Sequence, residues 1–257
     1  MERLKIPDQL NGKTERGNIY QCQKHVRRWI DNPNLTSHEV VPALYTTLFQ
    51  SSGLSSGDHT QLSDVIRTSD VRISGKSRDF CPPSLYVYPL MTKYLDDLDN
   101  VLHATPNSFD GANIGNVIHN AAWAYYVFER IHPFPDGNGR VGRMIVKRIV
   151  NGAGVKDLLF HDSRWRKSER STHLDALSRV DDSGELRPLE LYVLDLLERR
   201  YDSTKEANIY QAIQRAKVAN FESNDVRSQA KMPSDIWQGF ENVPISGNNP
   251  LLVLQAK

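Results

Sequence analysis

The chain has 257 residues, 39% hydrophobic and 25% charged, with 32 basic against 31 acidic side chains and a formal net charge of +1. That length can bury a sizeable core as one large domain or a core with appendages, and the charge balance argues against a protein whose main task is coating nucleic acid. Two cysteines, Cys22 and Cys81, make neither a disulfide framework nor a zinc cluster, no apolar run reaches bilayer-spanning length, and the start Met1-Glu2-Arg3-Leu4-Lys5 lacks a signal-peptide pattern. The expectation is a soluble, cytoplasmic protein with no membrane partner, and delivery into another cell stays open.

Residues 18–31 predict a helix, with Tyr20, Val26, Trp29 and Ile30 among charged neighbours, and residues 38–50 a second, with Val40, Val41, Leu44, Leu48 and Phe49 as apolar positions. The Ser/Gly-rich stretch 51–59 reads as a loop, which closes an N-terminal helical region (1–60) ahead of a core (61–201). Residues 65–75 mix β-branched and polar side chains up to Gly75 and suggest a short hairpin, after which Cys81-Pro82-Pro83 breaks regular structure. A helix over 84–102 carries Leu85, Tyr88, Met91, Leu95 and Leu98 at helical spacing, and Pro89 predicts a kink or a later start.

Ile114, Val117, Ile118, Ala121, Tyr125 and Phe128 fall at steps of three and four and predict a helix with one apolar stripe, stopped near Ile131 by Pro133. Val141, Met144, Ile145, Ile149 and Val150 mark the next helix, ended by Gly152 and Gly154. Further helices are expected at 172–178, 188–201 and 210–218, the last within a region (202–257) that closes on a polar tail where Leu251 to Leu254 could dock as an edge strand. The fold class is mainly α with a small β-hairpin.

The chemistry concentrates in the run His132-Pro133-Phe134-Pro135-Asp136-Gly137-Asn138-Gly139-Arg140, between two of these helices. Gly137 and Gly139 let the backbone approach a ligand closely and adopt positive φ. The first amides of the following helix have no internal partner, and the helix dipole favours an anion there. Arg140 and Arg143, three residues apart, share one face, and guanidinium groups suit bidentate phosphate contacts. The arrangement is an anion cradle whose natural ligand is a polyphosphate. Asp136 borders it as a candidate Mg²⁺ ligand, and His132 precedes it as a candidate general base. That set fits phosphoryl or nucleotidyl transfer.

His132-x-Phe134-x-Asp136-Gly137-Asn138-Gly139-Arg140-x-x-Arg143 resembles the Fic motif, HxFx(D/E)GNGRxxR, at every position. Val71-Arg72-Ile73-Ser74-Gly75 followed by Pro82-Pro83 looks like that family's flap hairpin and the Pro segment after it, and the resemblance covers roughly residues 62–200. It implies a Fic-type helical bundle and transfer of AMP from ATP to a hydroxyl side chain of a target protein, with pyrophosphate leaving. By the same resemblance His132 would deprotonate the target hydroxyl, Phe134 would anchor the loop, and Asp136 would hold Mg²⁺. Gly137, Asn138 and Gly139 would line the anion hole, with the Asn138 side chain near the α-phosphate. Arg140 and Arg143 would bind the β- and γ-phosphates, and the flap at Val71, Arg72 and Ile73 would hold the target by strand addition.

Relatives with Ala at the first motif glycine act as kinases or phosphocholine transferases, and Gly137 here favours AMP transfer. UMP transfer, phosphorylation and AMP removal are the alternative reactions of this fold. The inhibitory pattern (S/T)xxxE(G/N) has no match in the sequence. That leaves inhibition to a separate, antitoxin-like partner, to a divergent segment, or to nothing. The resemblance also leaves a homodimer open. Outside the motif, His119 reads as a packing histidine, His173 stands where many relatives have a tyrosine, and no winged-helix pattern precedes Ser51 to support a DNA-binding module.

Overall fold

The computed structural model describes residues 12–49, 61–71, 81–110, 112–155, 167–201 and 207–218. They form helices α1 (Gly12–Asp31), α2 (Ser37–Leu48), α3 (Leu62–Val65), α4 (Ser84–Ala104), α5 (Ile114–Ile131), α6 (Asn138–Gly152), α7 (Lys167–Ser183), α8 (Arg187–Arg200) and α9 (Ala207–Val218). No strand occurs among the described residues. Of the expected hairpin, Val65 closes α3 and 66–71 hold no strand, while 72–80 lie outside the described residues, as does the expected edge strand at 251–254.

Packing divides the described residues into two compact units, one falling within 1–99 and 128–144 and the other within 100–127 and 145–218. In the first, α1 and α2 form an antiparallel pair whose loop is short. Glu39 reaches back to accept the Thr36 N–H at 2.9 Å, as in a capping box. The next residue fixes the start of α2 against α4, since Ser37 donates its N–H (2.8 Å) and its hydroxyl (2.6 Å) to Asp99. At the other end of α2, Asn18 from α1 donates to the Leu48 carbonyl at 2.9 Å, one of the acceptors a helix C-terminus leaves open. Trp29, Leu44, Leu48, Leu90, Met91, Tyr94, Leu95, Phe128 and Phe134 are buried in this unit.

Helix α4 runs unbroken through Pro89, with no late start. Pro89 is the sixth residue of α4, past the first turn, so its missing N–H removes one rung of the hydrogen-bond ladder and the helix continues through it. The buried residues of α4 are Val87, Leu90, Met91, Tyr94, Leu95 and Leu98. Leu85 and Tyr88, one turn earlier, are only half buried. Helix α5 departs further from expectation, because every residue from Val117 to Ile131 is buried rather than one stripe. A helix covered on all sides has to find partners for its polar side chains within the protein. In the second unit His119 is partnered at one ring nitrogen, its Nδ1 lying 2.8 Å from Glu190 Oε1 on α8. His173 on α7 is likewise buried, hydrogen-bonded to the Tyr125 hydroxyl and between the rings of Tyr125 (5.3 Å) and Tyr192 (5.5 Å). Arg187 closes the C-terminus of α9 by donating to the Lys217 carbonyl at 2.8 Å.

Candidate active site

The motif lies within the first unit, on the turn from α5 into α6. Its shape begins with His132, a non-glycine residue at φ 48°. This left-handed conformation is uncommon for a side chain with a Cβ, and histidine is among the residues that accept it best. The turn takes His132 off the axis of α5 while its N–H still donates to Phe128 O at 3.0 Å. Its ring Nδ1 faces the Glu129 carbonyl at 3.3 Å. A carbonyl only accepts, so Nδ1 carries the proton and Nε2 is left with the lone pair. Burial pushes the imidazole below its ordinary pKa, with Arg67 and Arg130 adding to that and the Glu129 bond and Asp136 opposing it. The ring is therefore a neutral base near pH 7.

Phe134 then turns fully inward. Its ring stacks on Tyr45 of α2 (centroids 4.3 Å, 21°) and meets Phe128 at 5.9 Å. Asn138 closes the loop beneath it. Its carboxamide oxygen accepts the Phe134 N–H at 2.9 Å and its NH₂ donates to Phe134 O at 2.8 Å. A carboxamide so engaged has one N–H and one lone pair left for any other partner. The resemblance implies this side chain near the α-phosphate, and the geometry adds a second duty, holding the loop shut.

Gly137 has φ 80°, and a Cβ there would stand 2.9 Å from Phe49 Cε2 and 3.0 Å from Leu48 Cδ2. Both conformation and space demand glycine. The Gly137 carbonyl accepts the Arg140 and Val141 N–H groups at 3.0 Å and so starts α6, leaving the amides of Asn138 and Gly139 at the helix entrance. Asp136 accepts the Gly137 N–H at 2.6 Å and pairs with Arg140 at 2.9 Å, and its side chain is 58% exposed. The Arg140 guanidinium also lies over the Phe49 ring at 5.3 Å. Arg143 Nη1 lies 3.2 Å from the point a Gly139 Cβ would occupy, and Glu129 Oε1 lies 3.7 Å from it.

The structure thus brings His132, Asp136, Gly137, Asn138, Gly139, Arg140 and Arg143 onto the α5–α6 turn and the first two turns of α6. Val71 is half buried at the edge of the described residues, and Arg72 and Ile73 of the expected flap lie outside them. Sequence reasoning missed Glu129, buried behind Arg143 with Oε1 lacking a hydrogen-bond partner. Burial pushes its carboxyl up to about 7 against the pull of Arg143 and Arg130. An acid at the end of the apolar run Tyr125-Tyr126-Val127-Phe128 was the available signal. Sequence reasoning also missed Arg67, 1% exposed, whose side chain hydrogen-bonds the main chain at His132, Ser69 and Pro82.

An Mg²⁺ ion fits this donor set only in company. No group of three or more His, Cys, Asp and Glu side chains among the described residues could hold a cation alone. One exposed carboxylate at an anion cradle is the kind of site that binds Mg²⁺ through nucleotide phosphates and water.

The Fic/DOC family model matches residues 22–150. A protein of Aquifex aeolicus (strain VF5) named as a probable protein adenylyltransferase is 26% identical over 196 residues, 72% of this chain and 53% of its own length. The protein adenylyltransferase Fic of Culex quinquefasciatus is 33% identical over 85 residues, 33% of this chain and 16% of its own. A Fic domain-containing signalling protein from Bacteroides thetaiotaomicron superposes with TM-score 0.51 at 17% identity, over 79% of this chain and 70% of that one. The chain thus spans about half the length of the Aquifex relative and a smaller part of the mosquito one.

Proposed function

The chain belongs to the Fic/DOC family, and from that premise we propose that it is a protein adenylyltransferase, moving AMP from ATP to a hydroxyl side chain of a target protein. The observation that carries this reading is the pairing of a half-buried, neutral His132, with Nε2 left as acceptor, and a helix entrance flanked by Arg140 and Arg143. A base for the acceptor and a cradle for the donor stand on one turn, which is what proximity catalysis requires.

In the proposed reaction His132 Nε2 takes the proton of the target hydroxyl. The hydroxyl oxygen forms a bond to the α-phosphorus as the bond from that phosphorus to the α,β-bridging oxygen breaks, and pyrophosphate leaves. The amides at the start of α6 and the guanidinium groups of Arg140 and Arg143 bind the phosphate oxygens and stabilise charge that spreads in the transition state. Asp136 would hold Mg²⁺, which when bound offsets the charge of the departing pyrophosphate. Asn138 keeps the loop closed through the Phe134 peptide. Val71, Arg72 and Ile73 would present the target in extended form.

Protein and its His132→Ala form, both checked for folding by circular dichroism, are incubated with ATP labelled at the α-phosphate, Mg²⁺ and cell lysate. Labelled protein bands with the intact chain alone are expected. Equal labelling by the Ala form would overturn the assignment. Absence of label with ATP, but transfer from UTP or from the γ-position, would move the chain to another donor of the same fold.

A further inference from the structure

Arg67 is a charged side chain placed where an apolar one would ordinarily sit, 1% exposed within the first unit. Its hydrogen-bond partners are main-chain carbonyls. Nε donates to His132 O at 2.8 Å, Nη1 to Ser69 O at 2.9 Å, and Nη2 to Pro82 O at 2.6 Å and Ile131 O at 3.4 Å. Its own N–H donates to Pro133 O at 2.8 Å. One residue therefore holds three successive carbonyls, 131, 132 and 133, across the peptide units that carry the left-handed φ of His132.

Two physical points separate this from an ordinary helix cap. First, burying a guanidinium is costly unless its surroundings compensate. Among the groups that act on it electrostatically is Asp70, whose carboxylate accepts the Ser84 N–H at 2.6 Å. A cap for the carbonyls that end α5 needs only a surface lysine or arginine. Second, a left-handed histidine is strained and persists where its surroundings over-determine it. Here that over-determination comes from a residue 65 positions away. The same guanidinium reaches Ser69 and Pro82, which bracket in sequence the segment proposed to dock the target.

We propose that Arg67 is a positioning residue for the transfer reaction: it fixes the main-chain turn that aims the His132 ring. The proposal rests on the adenylyltransferase reading, and a misaimed base lowers turnover while leaving the phosphate cradle on α6 intact.

The test uses Arg67→Lys, which keeps the charge and loses the fork, and Arg67→Met, which keeps the length and loses the charge. ATP affinity, kcat of labelling and amide hydrogen exchange are measured on each. Expected are ATP affinity within about threefold of the parent, kcat lower by roughly 10- to 100-fold as for a base displaced by less than about 1 Å, and faster exchange confined to residues 132–137. Three results would overturn it: parental kcat in both variants, exchange accelerated equally through α4 and α5 with ATP affinity lost in parallel, or failure of both to fold. Each would make Arg67 dispensable or merely a support of the core. If the parent itself labels nothing, the function assignment fails. The exchange pattern then still decides whether Arg67 acts on the His132 turn alone.

Discussion

Gly137→Ala tests the geometry of the cradle most directly. The new methyl group would enter at φ 80°, 2.9 Å from Phe49 Cε2, 3.1 Å from its Cζ and 3.0 Å from Leu48 Cδ2. The Phe49 ring has little freedom to withdraw, being 3% exposed, in contact with Tyr45 at 5.0 Å and under the Arg140 guanidinium at 5.3 Å. Left-handed backbone at an alanine costs about 1–2 kcal/mol, and overpacking a closed site about 1–3 kcal/mol more. The sum, roughly 2–5 kcal/mol, is a large share of the stability of a domain this size. Urea unfolding followed by tryptophan fluorescence should show the midpoint falling with the slope unchanged. ATP binding should weaken in step, because the glycine carbonyl that starts α6 must move. Combining the change with Phe49→Leu separates the two costs, since the smaller side chain relieves the ring contact and leaves the backbone cost standing. A loss below about 0.5 kcal/mol in the single variant, the range of an indifferent surface change, would refute the reasoning.

Asn138→Ala should cost roughly 2–4 kcal/mol, because the buried N–H and carbonyl of Phe134 both lose their partner; a loss typical of a surface position would mean that the carboxamide does not hold the loop. Glu129 gives a pH signature. Its folded value, raised by burial to about 7 from 4.5, means that the folded state retains a proton the unfolded state releases. Stability should therefore fall as pH rises from about 4.5 to about 7, by an amount on the order of 3 kcal/mol at about 1.4 kcal/mol per unit. Glu129→Gln should flatten that slope, and parallel stability curves for parent and variant would exclude the account. Because burial holds the His132 imidazole below 6.5, the acid limb of kcat/KM for transfer should lie below pH 6.5. A limb above that value would show the base to be more exposed, or a different group.

The active turn was legible because its chemistry is contiguous: base, carboxylate, glycines and two arginines fall within twelve successive residues, His132 to Arg143. Helix α5 was legible in extent, ending at Ile131 ahead of Pro133, but not in burial. Trp123, Tyr126 and Val127 fall off the stripe by period and are buried all the same. Periodicity reports one face, and only tertiary packing reveals that a second face is covered. Arg67 was illegible for a different reason. Its partners are main-chain carbonyls, which carry no residue identity, and the nearest of them on the motif is 65 positions downstream. The contact of Phe49 and Leu48 with Gly137 escaped in the same way, since the pattern of α2 marks both as apolar without saying what they face.

The backbone at His132 has a consequence for how such a chain decays. A copy that no longer needs the base is free to change residue 132, yet the turn still asks for φ 48°. Asparagine, aspartate and glycine meet that demand at little cost, whereas β-branched residues resist it strongly. Descendants that have abandoned catalysis but kept the fold should therefore drift toward those three residues first. A valine or isoleucine at this place should appear only with further changes along the turn, and the replacement thus dates whether the scaffold is still under selection.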